Sequence, residues 1–116
     1  MGFSGLILRG EVYNVDLGEP VGHEPAHFRP TIVLSSDVIN NGPGALVVVV
    51  PVGSKSYGLR SHVELDRTPG GLDRVSYARC DQLRVVSTQR LVDRRGMVSK
   101  DQMQQIARAI RFVLDL

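Results

Sequence analysis

The segment Leu46-Val47-Val48-Val49-Val50-Pro51-Val52-Gly53 constrains the fold of this chain more than any other. A leucine followed by four valines has no polar face, and such runs belong to strands covered on both sides. A chain of 116 residues holds one modest core, so the remaining elements must wrap around this strand, expected over 45–52. Pro51 has no backbone donor, which signals an edge or a bend near the strand's end.

The segments around that run are short and mostly extended. Residues 9–17 alternate, with Val12, Asn14 and Asp16 opposed to Glu11, Tyr13, Val15 and Leu17, the pattern of a strand with one wet face. Residues 18–29 hold two glycines, two prolines and no periodicity, which makes them a loop long enough to call for a function. Further strands are expected at 31–36, 60–65, 75–80 and 82–86, with a last short one at Met97-Val98. A single helical turn is expected at 37–41, a polar loop at 54–58, and a turn at Thr68-Pro69-Gly70-Gly71. Ser99 is placed to cap a terminal helix, with Gln102 completing a capping box. Met103, Ile106, Ala107, Ile110, Val113 and Leu114 form its apolar stripe. The expected fold is mainly β with α (α+β): one domain over 1–116, a small curled barrel of about five to seven short strands closed by a C-terminal helix.

Composition narrows the classes of function. No run approaches the roughly 18 apolar residues of a membrane span, and the N-terminus reads as lacking a signal peptide. One cysteine, Cys80, cannot form an internal disulfide, so a cytoplasmic location is expected. Net charge is only +2, but the basic residues are twelve arginines and two lysines. Arginine grips phosphates and stacks on bases, and the same bias also follows from a GC-rich genome. His23 and His27 flank Pro25, His62 lies far away, and one cysteine is available, so no zinc spacing appears. There is no glycine-rich phosphate loop and no dinucleotide fingerprint. Neither a metal nor a cofactor is expected.

Arg29-Pro30 is the step that points to chemistry. An arginine stiffened by a following proline, just ahead of a buried strand, presents a fork of donors suited to phosphate; alternatively it pairs with Glu24 or Asp37 to pin the loop. If the phosphate so gripped is that of an RNA backbone, its cleavage without a metal needs a base for the 2′-hydroxyl, an acid for the leaving 5′-oxygen, and positive charge for the phosphorane. Arg29 supplies the charge, and the Ser54 hydroxyl at the end of the apolar strand is a candidate donor. Glu24 and His27 are candidate acid–base helpers. Phe28 and Tyr57 are candidates to stack on unpaired bases, and Gln82 to bond a base edge. Gly53 and Lys55 complete the expected substrate-binding set. The plain alternatives are solvated loop residues, an ordinary turn serine and a backbone-capping glutamine.

Six pieces in order carry a resemblance: Arg9-Gly10-Glu11-Val12-Tyr13, Glu24 ahead of Arg29-Pro30, Ile32-Val33-Leu34-Ser35, Val49-Val50-Pro51-Val52, Asp81-Gln82-Leu83-Arg84, and Gly96-Met97-Val98-Ser99. On these the chain resembles the MazF/PemK (Kid-like) toxins of type II toxin–antitoxin systems. The resemblance implies an SH3-like curled barrel, a homodimer, and a metal-independent ribonuclease cutting single-stranded messenger RNA to 2′,3′-cyclic phosphate and 5′-hydroxyl ends. It also implies a cognate MazE-like antitoxin. Arg29 matches the family's catalytic arginine and Glu24 an acidic residue of the loop over the RNA. A threonine usually follows the Val-Pro-Val segment; here that place is Gly53, and Ser54 keeps the nearest hydroxyl. Two alternatives follow from this departure. One is a weak or inactive homologue that binds RNA or antitoxin, in which Gly53→Thr would create cleavage. The other is a gyrase-poisoning toxin of the same fold.

Overall fold

The computed structural model describes residues 5–19, 21–22, 28–66 and 71–116. Among them seven strands and two α-helices follow in order: β1 (Glu11–Asp16), β2 (Phe28–Val33), α1 (Asp37–Asn40), β3 (Leu46–Gly53), β4 (His62–Leu65), β5 (Ser76–Arg79), β6 (Arg84–Ser87), β7 (Leu91–Met97) and α2 (Lys100–Leu114). All pairings are antiparallel, in the order β4-β5-β3-β2-β1-β7, with β6 on β3.

The valine run is the spine of the sheet. One side of β3 pairs with β2, from Thr31 opposite Pro51 to Val33 opposite Val49. Its other side pairs with β6 over residues 46–49 and with β5 at Val52 and Gly53. Pro51 sits in the gap between those two partners. A residue without an N–H is tolerated there because no ladder bond is asked of it on that side. Pro51 thus marks an interior change of neighbour rather than an outer edge.

Both faces of the sheet are covered. On one, Val12, Ile32, Val50, Val52, Val63, Leu65 and Ala78 pack beneath Met103, Ile106, Ala109 and Ile110 of α2. On the other, Tyr13, Val15, Leu17, Val33, Val47, Val49, Val86 and Leu91 form a second cluster with Ile7. The expected wet face of the first strand is therefore mostly lost. Val12, Tyr13 and Val15 are fully buried, and only Asp16 is exposed, because β1 lies inside the sheet between β2 and β7.

Three further expectations are corrected. Phe28 and Arg29 belong to β2, not to the loop, because β1 is long enough to pair with them, at Asp16 and Val15. The last strand runs from Leu91 to Met97, because the far side of β1 recruits a full-length partner despite the polar sequence Asp93-Arg94-Arg95. The capping box of α2 is half made. Ser99 accepts from the Gln102 backbone N–H at 3.2 Å, but the Gln102 side chain accepts from the Asp66 N–H at 3.0 Å instead of returning to Ser99. That bond ties the helix to the end of β4, and the buried stripe is offset from the expected one. Ala109 and Gln102 are buried, Ala107 is only partly covered, and Leu114 is exposed.

Candidate active site

Two separate clefts, with no lining residue in common, are built on the ends of β2, β3 and β5 and the segments that follow them. The first encloses about 160 Å³ and is lined by Arg29, Gly53, Ser54, Arg74, Ser76 and Arg95, with Pro30, Val52, Leu72 and Asp73. The second, of about 240 Å³, is lined by Tyr57, Leu59, His62, Arg79, Asp81 and Gln82.

Arg29 is held by the ladder. It pairs with Val15 in β1, and its Nη1 donates to the Val52 carbonyl at a long 3.4 Å. The register of Thr31 with Pro51, carried two residues further, sets Arg29 against Gly53 at the end of β3. The Arg29 Nε is buried and makes no hydrogen bond among the described residues. Burial, and then the neighbouring charge of Arg79, pull the Arg29 pKa below the ordinary arginine value, with Tyr57 opposing. The group still enters as a cation, because arginine starts so far above neutrality.

Arg79 is the residue that sequence reasoning missed. It closes β5, is 9% exposed, and its Nε is likewise buried without a partner. Its guanidinium lies over the Tyr57 ring, 5.5 Å from the centroid, and against Gly53. A Cβ at position 53 would stand 2.8 Å from the Arg79 Nε and closer still to Cζ and Nη2. One signal in the sequence was available. A glycine ending an apolar strand marks close approach by another group, although it does not say which group.

The other expected residues divide between the two clefts. Ser54 is exposed at the lip of the first, one residue beyond Gly53. Tyr57 and Gln82 line the second, and the Lys55 ammonium stands 5.2 Å from the Tyr57 ring centre. Phe28 opens β2 and is 60% exposed. Glu24 and His27 lie outside the described residues, as does most of the 68–71 turn. His62 has a side chain only 5% exposed, and its Nε2 meets the Asp81 carboxylate at 2.9 Å.

The remaining wall of the first cleft is fixed by Arg95, whose Nη2 donates to the Gly71 carbonyl at 2.6 Å and faces Asp73 at 3.4 Å. Gly71 has φ +69°, and a side chain there would strike the Arg95 carbonyl. Among the described residues no group of three or more His, Cys, Asp or Glu is placed to hold a metal ion. No helix among them is long and apolar enough to cross a membrane. What the clefts offer is positive charge on rigid strands: Arg29 in the first and Arg79 in the second, each with a buried Nε, and the Tyr57 ring beside Arg79.

Residues 8–114 match the family described as PemK-like, MazF-like toxin of type II toxin-antitoxin system. The chain is 34% identical over 113 residues to endoribonuclease MazF6 of Mycobacterium tuberculosis (strain ATCC 25618 / H37Rv), covering 96% of this chain and 99% of the relative. It is 31% identical over 112 residues to endoribonuclease EndoA of Bacillus subtilis (strain 168), covering 96% and 97%. A solved endoribonuclease in complex with its cognate antitoxin, from a mycobacterial species, aligns with a TM-score of 0.79 at 25% identity over 95% of this chain and 96% of that one. MazF from Deinococcus radiodurans shares the fold, with a TM-score of 0.82 at 22% identity over 97% and 100%.

Proposed function

The chain belongs to the PemK-like, MazF-like toxins of type II toxin–antitoxin systems, and on that premise we propose that it is a metal-independent, sequence-specific endoribonuclease acting on single-stranded RNA. The observation that carries this reading is the pair Arg29 and Arg79, whose Nε atoms are both buried and have no hydrogen-bond partner among the described residues. Buried donors without partners cost free energy, and an anion in the cleft supplies what they lack.

The scissile phosphate sits against Arg29. The 2′-oxygen attacks phosphorus, the bond to the 5′-oxygen breaks, and a 2′,3′-cyclic phosphate and a 5′-hydroxyl result. Arg29 and Arg79 stabilise the extra negative charge of the phosphorane, and they do so in a cleft that shields them from water. Ser54 donates from the lip. Glu24 and His27, in the segment ahead of Arg29, are the candidates for taking the proton from the 2′-hydroxyl and giving one to the leaving 5′-oxygen. Tyr57 and Gln82 receive a flanking base, with Phe28 and Lys55 along the strand's path. The toxin acts as a cytoplasmic homodimer, and a MazE-like antitoxin silences it by laying acidic residues over the same arginines.

The reading of Gly53 as the mark of an inactive homologue is weakened by the Arg79 guanidinium lying against it. The test is incubation with a long single-stranded RNA in EDTA, with cut ends mapped beside an Arg29→Ala control. Site-specific cuts with 5′-hydroxyl ends, absent from the control, are expected. Cleavage by Arg29→Ala at the wild-type rate would sink the proposal, and an RNA left intact by the wild type would favour the inactive homologue.

A further inference from the structure

We propose that Gly53 is a positioning residue: its missing side chain is the seat that holds the Arg79 guanidinium beside Arg29, so that two cations grip one phosphate. The inference rests on reading the cleft as an anion site and adds what sets its geometry.

Gly53 is not explained by its own backbone. Its φ lies outside the left-handed region that favours glycine, since the glycines with positive φ are Gly10, Gly18, Gly22, Gly58 and Gly71. It ends a strand and pairs with Tyr77, where glycine normally weakens a ladder. It is fully covered, and what covers the place of its Cβ is the end of Arg79. Any larger residue must push that guanidinium away. The displacement is easy, because the obstacle is the tip of a long side chain and not backbone. A substitution at 53 therefore leaves the sheet standing and moves the charge.

The position of Arg79 rests on its packing against Tyr57 and Gly53. Its Nε is buried without a hydrogen bond among the described residues, and its charge opposes that of Arg29. The Tyr57 ring supports one face, and Gly53 leaves room on the other. Two like charges held at close quarters with open donors are arranged for a shared anion. Ser54 cannot take over from Arg79, since it is exposed at the lip of the cleft.

The experiment uses the full chain as wild type, Gly53→Ala, Arg79→Ala and the double variant. The arginine Nε–H resonances are followed by NMR against inorganic phosphate, and cleavage of a fluorogenic RNA is timed in EDTA. In the wild type phosphate shifts both the Arg29 and Arg79 resonances. Gly53→Ala abolishes the Arg79 response, keeps that of Arg29, and lowers cleavage about 10- to 100-fold, short of the 10² to 10³ that removal of a whole transition-state donor costs. In the Arg79→Ala background Gly53→Ala has no further effect, a coupling that a merely structural role would not produce.

The proposal is overturned if Gly53→Ala keeps the Arg79 response, or if it costs the same factor with and without Arg79. A wild type that cuts no RNA yet shows the Arg79 response, lost in Gly53→Ala, supports the seat while refuting the ribonuclease. A wild type in which phosphate moves neither resonance overturns the seat together with the anion site. Should Gly53→Ala fail to fold, Arg79→Gln tests the grip from the other side: unchanged phosphate affinity there overturns the proposal, and weakened affinity supports it.

Discussion

Glu11 and Arg29 are charged residues on neighbouring strands, and the fold treats them in opposite ways. Glu11, 3% exposed in β1, is satisfied on every side. Its carboxylate accepts from the Leu8 N–H at 2.6 Å and the Tyr13 hydroxyl at 3.2 Å, and it pairs with Arg94 of β7. Among the described residues Arg29 in β2 has one long bond to a carbonyl, an Nε without a partner, and another arginine for its charged neighbour. A buried charge kept for the fold is closed by its partners, because an open one is costly. A buried charge left open is a cost the fold carries for something outside itself. The difference separates a charge that the fold closes from one that it leaves open, and it does so without reference to any relative.

The strongest way to break the comparison is to remove one charge from each side. Arg29→Ala is expected to lower RNA cleavage by about 10³-fold or more, at the level of losing a principal transition-state donor. Its stability should stay within about 0.5 kcal/mol of wild type or rise, because an unpaired, repelled cation disappears. Cleavage timed in EDTA and a urea melt measure the two effects. Glu11→Ala should do the reverse. It strands the Leu8 N–H, removes the carboxylate that the Tyr13 hydroxyl donates to, and is expected to destabilise by about 2–4 kcal/mol, with Arg94 counting for little because it is half exposed. Cleavage per folded molecule at low temperature should be unchanged. If both variants lose stability alike, the distinction between closed and open charge is wrong.

The fold was legible in the sequence where hydrophobic patterning was unambiguous, at the valine run, at the helical stripe after Ser99 and at the short strands between them. Legibility failed where pairing overrode pattern. The Asp93-Arg94-Arg95 segment has no strand signature, yet β1 recruits it, and its Arg94 is what closes the Glu11 charge. Arg29 stood out because Pro30 and the apolar residues behind it frame it in the sequence. Arg79 did not, because its partner Gly53 is 26 positions away and the contact consists of an absent side chain. Spacing shows what residues carry, and seldom what they leave room for.

Alkaline titration probes the closed side alone. Burial, and then the charge of Glu11, raise the Tyr13 hydroxyl far above its ordinary value near 10. Burial and Asp81 push the Cys80 thiol up from 9.0 to about 12. Both groups are neutral when protonated, so the folded state holds protons that the unfolded chain gives up first. The stabilisation is complete below pH 9 and is lost as pH rises from there through about 12. A melting temperature lower by about 5 °C or more at pH 10.5 than at pH 8 is expected, a change of the size about 1 kcal/mol makes in a small domain. A flat profile would mean that these groups are not as enclosed as the core implies. Cys80 should also stay unreactive to a thiol reagent until the chain unfolds.

The smallest effect belongs to Gln102, a neutral polar residue that was buried to make a connection. Its side chain accepts from the Asp66 N–H at the end of β4, while its own N–H is held by Ser99. Gln102→Ala removes the first bond and leaves the second, so the cap survives and the tie between helix and strand does not. About 1 kcal/mol should be lost, the usual net worth of one such bond. Ser99→Ala should cost a similar amount by the other route, through the cap. The two changes act on one helix start through separate bonds, so their costs should add within about 0.5 kcal/mol. A large coupling in a urea double-mutant cycle would mean that the two bonds act as one capping unit after all. Near-additivity would confirm that Gln102 has traded the capping box for a bond that carries the helix onto the sheet.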